Sequence, residues 1–145
     1  MKAIVNKKGL FNYEVLEAFE AGLKLIGTEV KSLKLGRVSF EGAYITFGGS
    51  DAYVVNLTIP AYQPKNAPKK YEPERPRKLL LHKKELSYLK GKSQEQGLTV
   101  IPTKIYTTRG TLKIDIAIVK RRKKHDKREV LKKKAVKRDI EREIR

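Results

Sequence analysis

The chain's clearest pattern is the stretch TLKIDIAIV (111–119), where Leu112, Ile114, Ile116 and Ile118 fall on one face and Thr111, Lys113 and Asp115 begin the other. Strict alternation of this kind predicts a strand with one buried face. LTVIPTKIY (98–106), just before it, is β-branched and aromatic, and Thr108-Arg109-Gly110 joins the two segments as a hairpin. AYITF (43–47), the turn Gly48-Gly49-Ser50-Asp51 and AYVVNL (52–57) predict a second hairpin.

Periodicity does not decide NYEVLEAFEAGLKLI (12–26). Val15, Leu16, Phe19, Leu23 and Ile26 fit a helical stripe, while Tyr13, Val15, Phe19, Ala21, Leu23 and Leu25 fit a strand. Its Glu, Leu and Ala content leans helical. HKKELSYLKG (82–91) reads as a helix, with Leu86 and Leu89 on one side, Lys90 in the last turn and Gly91 in the left-handed position past its end. Between these elements, residues 58–77 hold five of the six prolines and predict a long surface loop. Several short strands, two hairpins and one or two helices suggest a small antiparallel barrel of the OB type.

Composition adds a partner. Lys and Arg total 34 against 16 Asp and Glu, a formal charge of +18. Such a surplus points to a polyanion, and nucleic acid is the commonest one. No apolar run spans a bilayer and no signal segment opens the chain, so a soluble cytoplasmic protein without a membrane partner is expected. The absence of cysteine removes disulfides, thiolate nucleophiles and zinc knuckles. Two scattered histidines, His82 and His125, make no metal site. No catalytic constellation or phosphate-cradling loop is visible, so neither an enzyme nor a cofactor is expected.

The charge is uneven. Residues 120–145 carry 14 basic and 5 acidic side chains, half of the net charge. We therefore divide the chain into a body, 1–119, and a basic tail, 120–145. In the tail Val136, Ile140 and Ile144 recur at spacings of four, too thin a stripe to hold a helix against like-charge repulsion. The tail is expected to be disordered alone and to become helical on a phosphate surface, reaching about 39 Å. In the body, RPRKLLLH (75–82) sets Arg75, Arg77 and Lys78 against a leucine run that reads as a buried strand. The basic residues are either a solvated rim or a phosphate grip. Tyr62 and Tyr71 either stack on unpaired bases or pack back on the body.

NKKGLFNY (6–13), YEVLEAFEAGLKLIGTEVKSLKLG (13–36), RKLLLHKKEL (77–86), GLTVIPTKIY (97–106) and KKHDKRE (123–129) together resemble the small protein B (SmpB) family, nearly end to end. The resemblance implies an OB-like antiparallel barrel with short helices outside it, 13–26 as a strand and GTEVKSL as a short helix. Thr28 is then expected to cap that helix, with Glu29 in its first turn. It further implies an adaptor for transfer-messenger RNA (tmRNA). The body binds the tRNA-like domain at its elbow, and the tail occupies the empty mRNA channel of a stalled ribosome near the decoding centre. The partners are tmRNA and the RNA of the small ribosomal subunit, and the protein acts as a monomer.

Carried onto this chain, the body's RNA-binding residues are Asn6, Lys7, Lys8, Glu29, Lys31, Lys34, Arg75, Arg77 and Lys78, with Tyr62 added from the loop. Glu29 either accepts from a base edge or ribose hydroxyl, or only orders its turn or pairs with a neighbouring lysine. In the tail, Lys123, Lys124, His125, Asp126, Lys127 and Arg128 form the opening motif, and Lys132, Lys133, Lys134, Lys137 and Arg138 grip ribosomal RNA. Three positions depart from the family: Arg121 stands where glycine is usual, Gly9 where alanine is usual and Lys34 where arginine is common, and an ammonium cannot make arginine's paired contacts. A ribosomal or ribosome-assembly protein with a basic extension is the alternative.

Overall fold

The structure, a computed structural model, describes residues 1–66, 68–123, 127–129 and 131–132. The elements in chain order are β1 (Ile4–Val5), α1 (Lys7–Asn12), β2 (Tyr13–Leu23), α2 (Gly27–Lys34), β3 (Tyr44–Gly48), β4 (Asp51–Val55), β5 (Arg77–Leu80), α3 (Lys83–Ser93), β6 (Leu98–Thr108) and β7 (Thr111–Arg121). All strands pair antiparallel in one sheet of order β1-β6-β7-β2-β5-β4-β3. The sheet curls until β3 packs back against β6, leaving a barrel unzipped along one seam.

Both hairpins form where the pattern placed them. Thr108 pairs with Thr111 across Arg109 (φ 50°) and Gly110 (φ 75°). Two consecutive positive φ values make the primed turn whose twist matches the strands, and glycine takes the second without strain. Gly48 pairs with Asp51 around Gly49 and Ser50.

Residues 13–23 are a strand, as the resemblance implied and against local propensity, because β7 offers them a ladder running from Tyr13↔Arg121 to Gly22↔Lys113. The ladder slips between Val15 and Glu17. That bulge at Leu16 splits the apolar set that alternation had placed on one face. Phe19, Ala21 and Leu23 face the barrel interior with Ile114, Ile116 and Ile118. Tyr13 instead joins Ile101, Ala117 and Val119 on the opposite face. One inserted residue inverts everything beyond it.

The main core fills the barrel with Ile45, Val54, Leu57, Val100, Ile105 and the β7 isoleucines, and α2 and α3 plug it with Leu33 and Leu89. In α3 the helix runs through Gly91 to Ser93, so Gly91 is interior, and the left-handed glycine is Gly97 at φ 82°. The leucine run at 79–81 is not uniformly buried. Leu79 lies in the core while Leu80, one step along the pleat, is 55% exposed.

Candidate nucleic-acid interface

The segment GTEVKSLK becomes α2, and its first turn is held from within. Glu29 Oε1 accepts from the Ile26 N–H at 3.0 Å, so the carboxylate satisfies an orphan donor at the helix start. Thr28 does not cap the helix. Its Oγ1 accepts from the Tyr62 N–H at 2.8 Å, tying the proline loop to α2. Ser32 Oγ donates to the Pro60 carbonyl at 2.5 Å, and Ile59 N–H donates to the Pro73 carbonyl at 2.9 Å. The long loop is thus pinned at its base.

Beneath it lies an ionic knot. Glu29 is fully buried. Its Oε2 accepts from Arg77 Nε at 2.6 Å and Arg75 Nε at 3.1 Å, and its Oε1 from Arg75 Nη2. Arg77, equally buried, donates also to the Leu57 carbonyl, to the Pro73 carbonyl at 2.8 Å and to the Tyr71 hydroxyl at 3.1 Å. Tyr71 completes the set by donating to the Ile59 carbonyl at 2.6 Å. Burial pushes the Glu29 carboxyl up, but the hydrogen bonds from Arg75, the Ile26 N–H and Arg77, together with the Arg77 charge, outweigh it and hold its pKa below the ordinary value. Burial also raises the Tyr71 hydroxyl, with Glu29 beside it adding to the shift.

Three expected RNA ligands therefore turn inward. Glu29 and Arg77 have no surface to offer, and Arg75, 32% exposed, spends its fork on Glu29. Asn6 is buried too. Its side chain accepts from the Gly9 N–H at 3.0 Å, capping α1, and donates to the Pro102 carbonyl at 2.8 Å. A Cβ on Gly9 would stand 2.5 Å from the Asn6 amide nitrogen, so glycine at this position leaves room for that cap.

The outward residues make a different set. Lys31 and Lys34 are exposed on α2, Lys7 and Lys8 on α1, and Lys65, Lys69 and Lys70 along the loop. The Lys31 ammonium sits 5.6 Å from the Tyr62 ring centroid, on the wall of a cleft of about 240 Å³ shared by α2 and the loop. Lys78 reaches Asp51 at 3.3 Å. It also lines a groove of about 670 Å³, where Leu80 stands beside His82 and Lys113, with Glu20 and Glu85 on the wall. On the outer sheet face, Tyr106 donates to Asp115 at 2.7 Å and lies against Glu20. Burial and these two carboxylates hold its hydroxyl well above the usual phenol range.

Neither Leu80 nor Lys113 was singled out in the sequence, although Lys113 fell on the polar face of its strand and consecutive residues of a strand point to opposite faces, as Leu79 and Leu80 do. In the tail, Lys123, Arg128 and Lys132 are exposed, and the Lys127 ammonium lies 5.9 Å from the Phe11 ring. Lys124, His125, Asp126, Lys133, Lys134, Lys137 and Arg138 lie outside the described residues, as does most of the segment expected to be disordered alone and helical when bound. Arg121 closes β7 opposite Tyr13, so the chain is strand at this departure from the family pattern. Among the described residues no three His, Asp or Glu side chains gather to hold a metal, and no helix is long and apolar enough to cross a membrane.

A curled antiparallel sheet plugged by short helices, with lysines and a tyrosine on its loops, defines the class of OB-like barrels, which meet oligonucleotides through strand faces and loops. Comparison narrows the class. The SmpB protein family model matches residues 3–145, and the chain belongs to that family. The SsrA-binding protein of Thermosipho africanus (strain TCF52B) is 48% identical over 97% of this chain and 95% of its own length. That of Nostoc punctiforme (strain ATCC 29133 / PCC 73102) is 44% identical over 97% and 90%. A solved chain from "tmRNA-SmpB: a journey to the center of the bacterial ribosome" superposes with a TM-score of 0.71 at 39% identity, covering 90% of this chain and 95% of that one.

Proposed function

We propose that this protein is the tmRNA-binding adaptor of trans-translation in its cell. Its body, 1–119, binds the tRNA-like domain of tmRNA, and its tail, 120–145, occupies the empty mRNA channel near the decoding centre of a stalled ribosome. It works in the cytoplasm as a monomer and makes or breaks no covalent bond. The observation that carries the reading is the likeness, in fold and at 39% identity, to a chain of the tmRNA–SmpB assembly.

Roles for individual residues are part of the same proposal. Lys31 and Lys34 on α2, Lys7 and Lys8 on α1 and the loop lysines supply phosphate contacts. Tyr62, braced by Lys31, supplies a stacking face for a base unstacked at the elbow. Leu80 and the groove around it offer an apolar surface of the same use. Glu29, Arg75, Arg77 and Asn6 support this surface from beneath. Lys123, Lys124, His125, Asp126, Lys127, Arg128, Lys132, Lys133, Lys134, Lys137 and Arg138 act in the tail, on ribosomal RNA.

A competition titration at physiological salt tests the reading: labelled tRNA-like fragment of tmRNA is challenged with ordinary tRNA and with an unrelated hairpin. A preference for the cognate fragment of about a hundredfold, roughly 2.7 kcal/mol, is the expected result. Equal competition by all three would mean that net charge does the binding, and would favour the ribosomal-protein alternative.

A further inference from the structure

A threonine in the first turn of a helix ordinarily serves the helix, and Thr28 does not. The Glu29 carboxylate already takes the Ile26 N–H at the start of α2. Thr28 Oγ1 instead accepts from the Tyr62 N–H at 2.8 Å, across 34 positions of chain. One turn further along the same helix face, Ser32 Oγ donates to the Pro60 carbonyl at 2.5 Å. Two hydroxyls on one face of α2 therefore hold the loop backbone at alternate residues, one as acceptor and one as donor, much as a neighbouring strand would.

The fold does not depend on the Thr28 bond. The base of the loop is closed separately, by the Ile59 N–H on the Pro73 carbonyl, the Tyr71 hydroxyl on the Ile59 carbonyl and the Arg77 guanidinium on the Pro73 carbonyl. Tyr62 lies beyond that closure. Burial contributes little to its placement, since Tyr62 is only half-buried and residues 63–65 and 68–70 after it are exposed. What the Thr28 bond fixes is the place of Tyr62 itself. Held there, its ring lies 5.6 Å from Lys31 Nζ, and Thr28, Lys31 and Tyr62 together line the cleft of about 240 Å³.

We propose that Thr28 is a positioning residue for RNA binding: its hydroxyl sets Tyr62 beside Lys31 before RNA arrives, so that an unpaired base meets a ring already in place. This part of the loop is then ordered on folding, and its ordering does not weaken the complex. The proposal rests on the reading of Tyr62 as a stacking face, and gives Thr28 a part that involves no contact with phosphate.

Thr28→Val keeps the branched shape of the side chain and removes the acceptor, whereas Thr28→Ser keeps the acceptor. Amide hydrogen exchange in the RNA-free protein reads the bond directly. The Tyr62 N–H should exchange at least about tenfold faster in T28V than in the parent, and within about threefold of the parent in T28S. T28V should bind the tRNA-like fragment of tmRNA about three- to tenfold more weakly, with Tm within about 3 °C of the parent and the salt slope unchanged, because no cation is lost. T28S should bind within about twofold of the parent. In a Tyr62→Ala background, T28V should have no further effect. If Tyr62→Ala binds like the parent, the stacking reading fails and this proposal fails with it. A loss for Tyr62→Ala without one for T28V, an equal loss for T28V in both backgrounds, or a Tyr62 amide that T28V does not accelerate would each overturn this proposal alone.

Discussion

Replacing Glu29 with glutamine removes one charge and leaves two arginines facing it. Four N–H donors converge on the Glu29 oxygens: Arg75 Nε and Nη2, Arg77 Nε and the Ile26 amide. Hydrogen bonds to charged groups contribute about 1.5–3 kcal/mol each, and stripping one partner from a buried ion pair costs about 3–5 kcal/mol, because the remaining charge stays desolvated. Arg77 is fully buried and keeps its carbonyl partners, which softens the loss, so about 3–4 kcal/mol is expected for E29Q. At about 3 °C per kcal/mol for a chain of this size, the RNA-free protein should melt roughly 10 °C lower. The assay is thermal unfolding at neutral pH, accompanied by a double-mutant cycle with Arg77→Met. A coupling energy of about 2 kcal/mol or more locates the loss in the pair. If E29Q melts within about 2 °C of the parent yet loses RNA affinity, Glu29 is a reader of RNA and the knot argument is wrong.

The same carboxylate sets a pH dependence. Because its folded pKa is depressed, its contribution is complete above the ordinary value of 4.5 and lost as pH falls through the folded one; urea midpoints measured from pH 7 to 3 should drop more steeply for the parent than for E29Q. Lys31→Ala and Lys34→Ala should each leave the unfolding free energy within about 0.5 kcal/mol while lowering the salt slope of RNA binding by about one; an unchanged slope removes that lysine from the interface. Tyr62→Ala should weaken RNA binding by about 1–3 kcal/mol, and Tyr62→Phe should retain it, as stacking requires; equal losses would implicate the hydroxyl instead. Asn6→Ala removes a cap and a buried amide donor together, and should cost about 1–3 kcal/mol in denaturant unfolding with little change in salt slope.

β3 and β4 were placed by the turn between them, and β6, which shifts phase at Thr103, by its β-branched and aromatic content; alternation was enough for β7, whose isoleucines keep one phase. It was not enough for β2. There the bulge at Leu16 shifts the phase midway, so no single period describes the strand, and the family resemblance had to supply its type. The outward placement of Lys7, Lys8, Lys31 and Lys34 was legible in the sequence. The site's arginines were read outward for want of their partner: Glu29 stands 46 and 48 positions from Arg75 and Arg77, a separation that no local pattern reports. Asn6 was hidden likewise, since its acceptor, the Pro102 carbonyl, lies 96 positions away.

β7 is the last strand among the described residues and sits in the middle of the sheet, between β6 and β2. A growing chain therefore holds two pieces that no strand pairing joins, β2-β5-β4-β3 and β1-β6, until residues 111–121 exist to bridge them. Contacts of such sequence range form late, because loop closure must be met before they contribute. Folding of the barrel then waits on β7. Chains that stop short of β7 lack the strand that joins the two halves of the sheet.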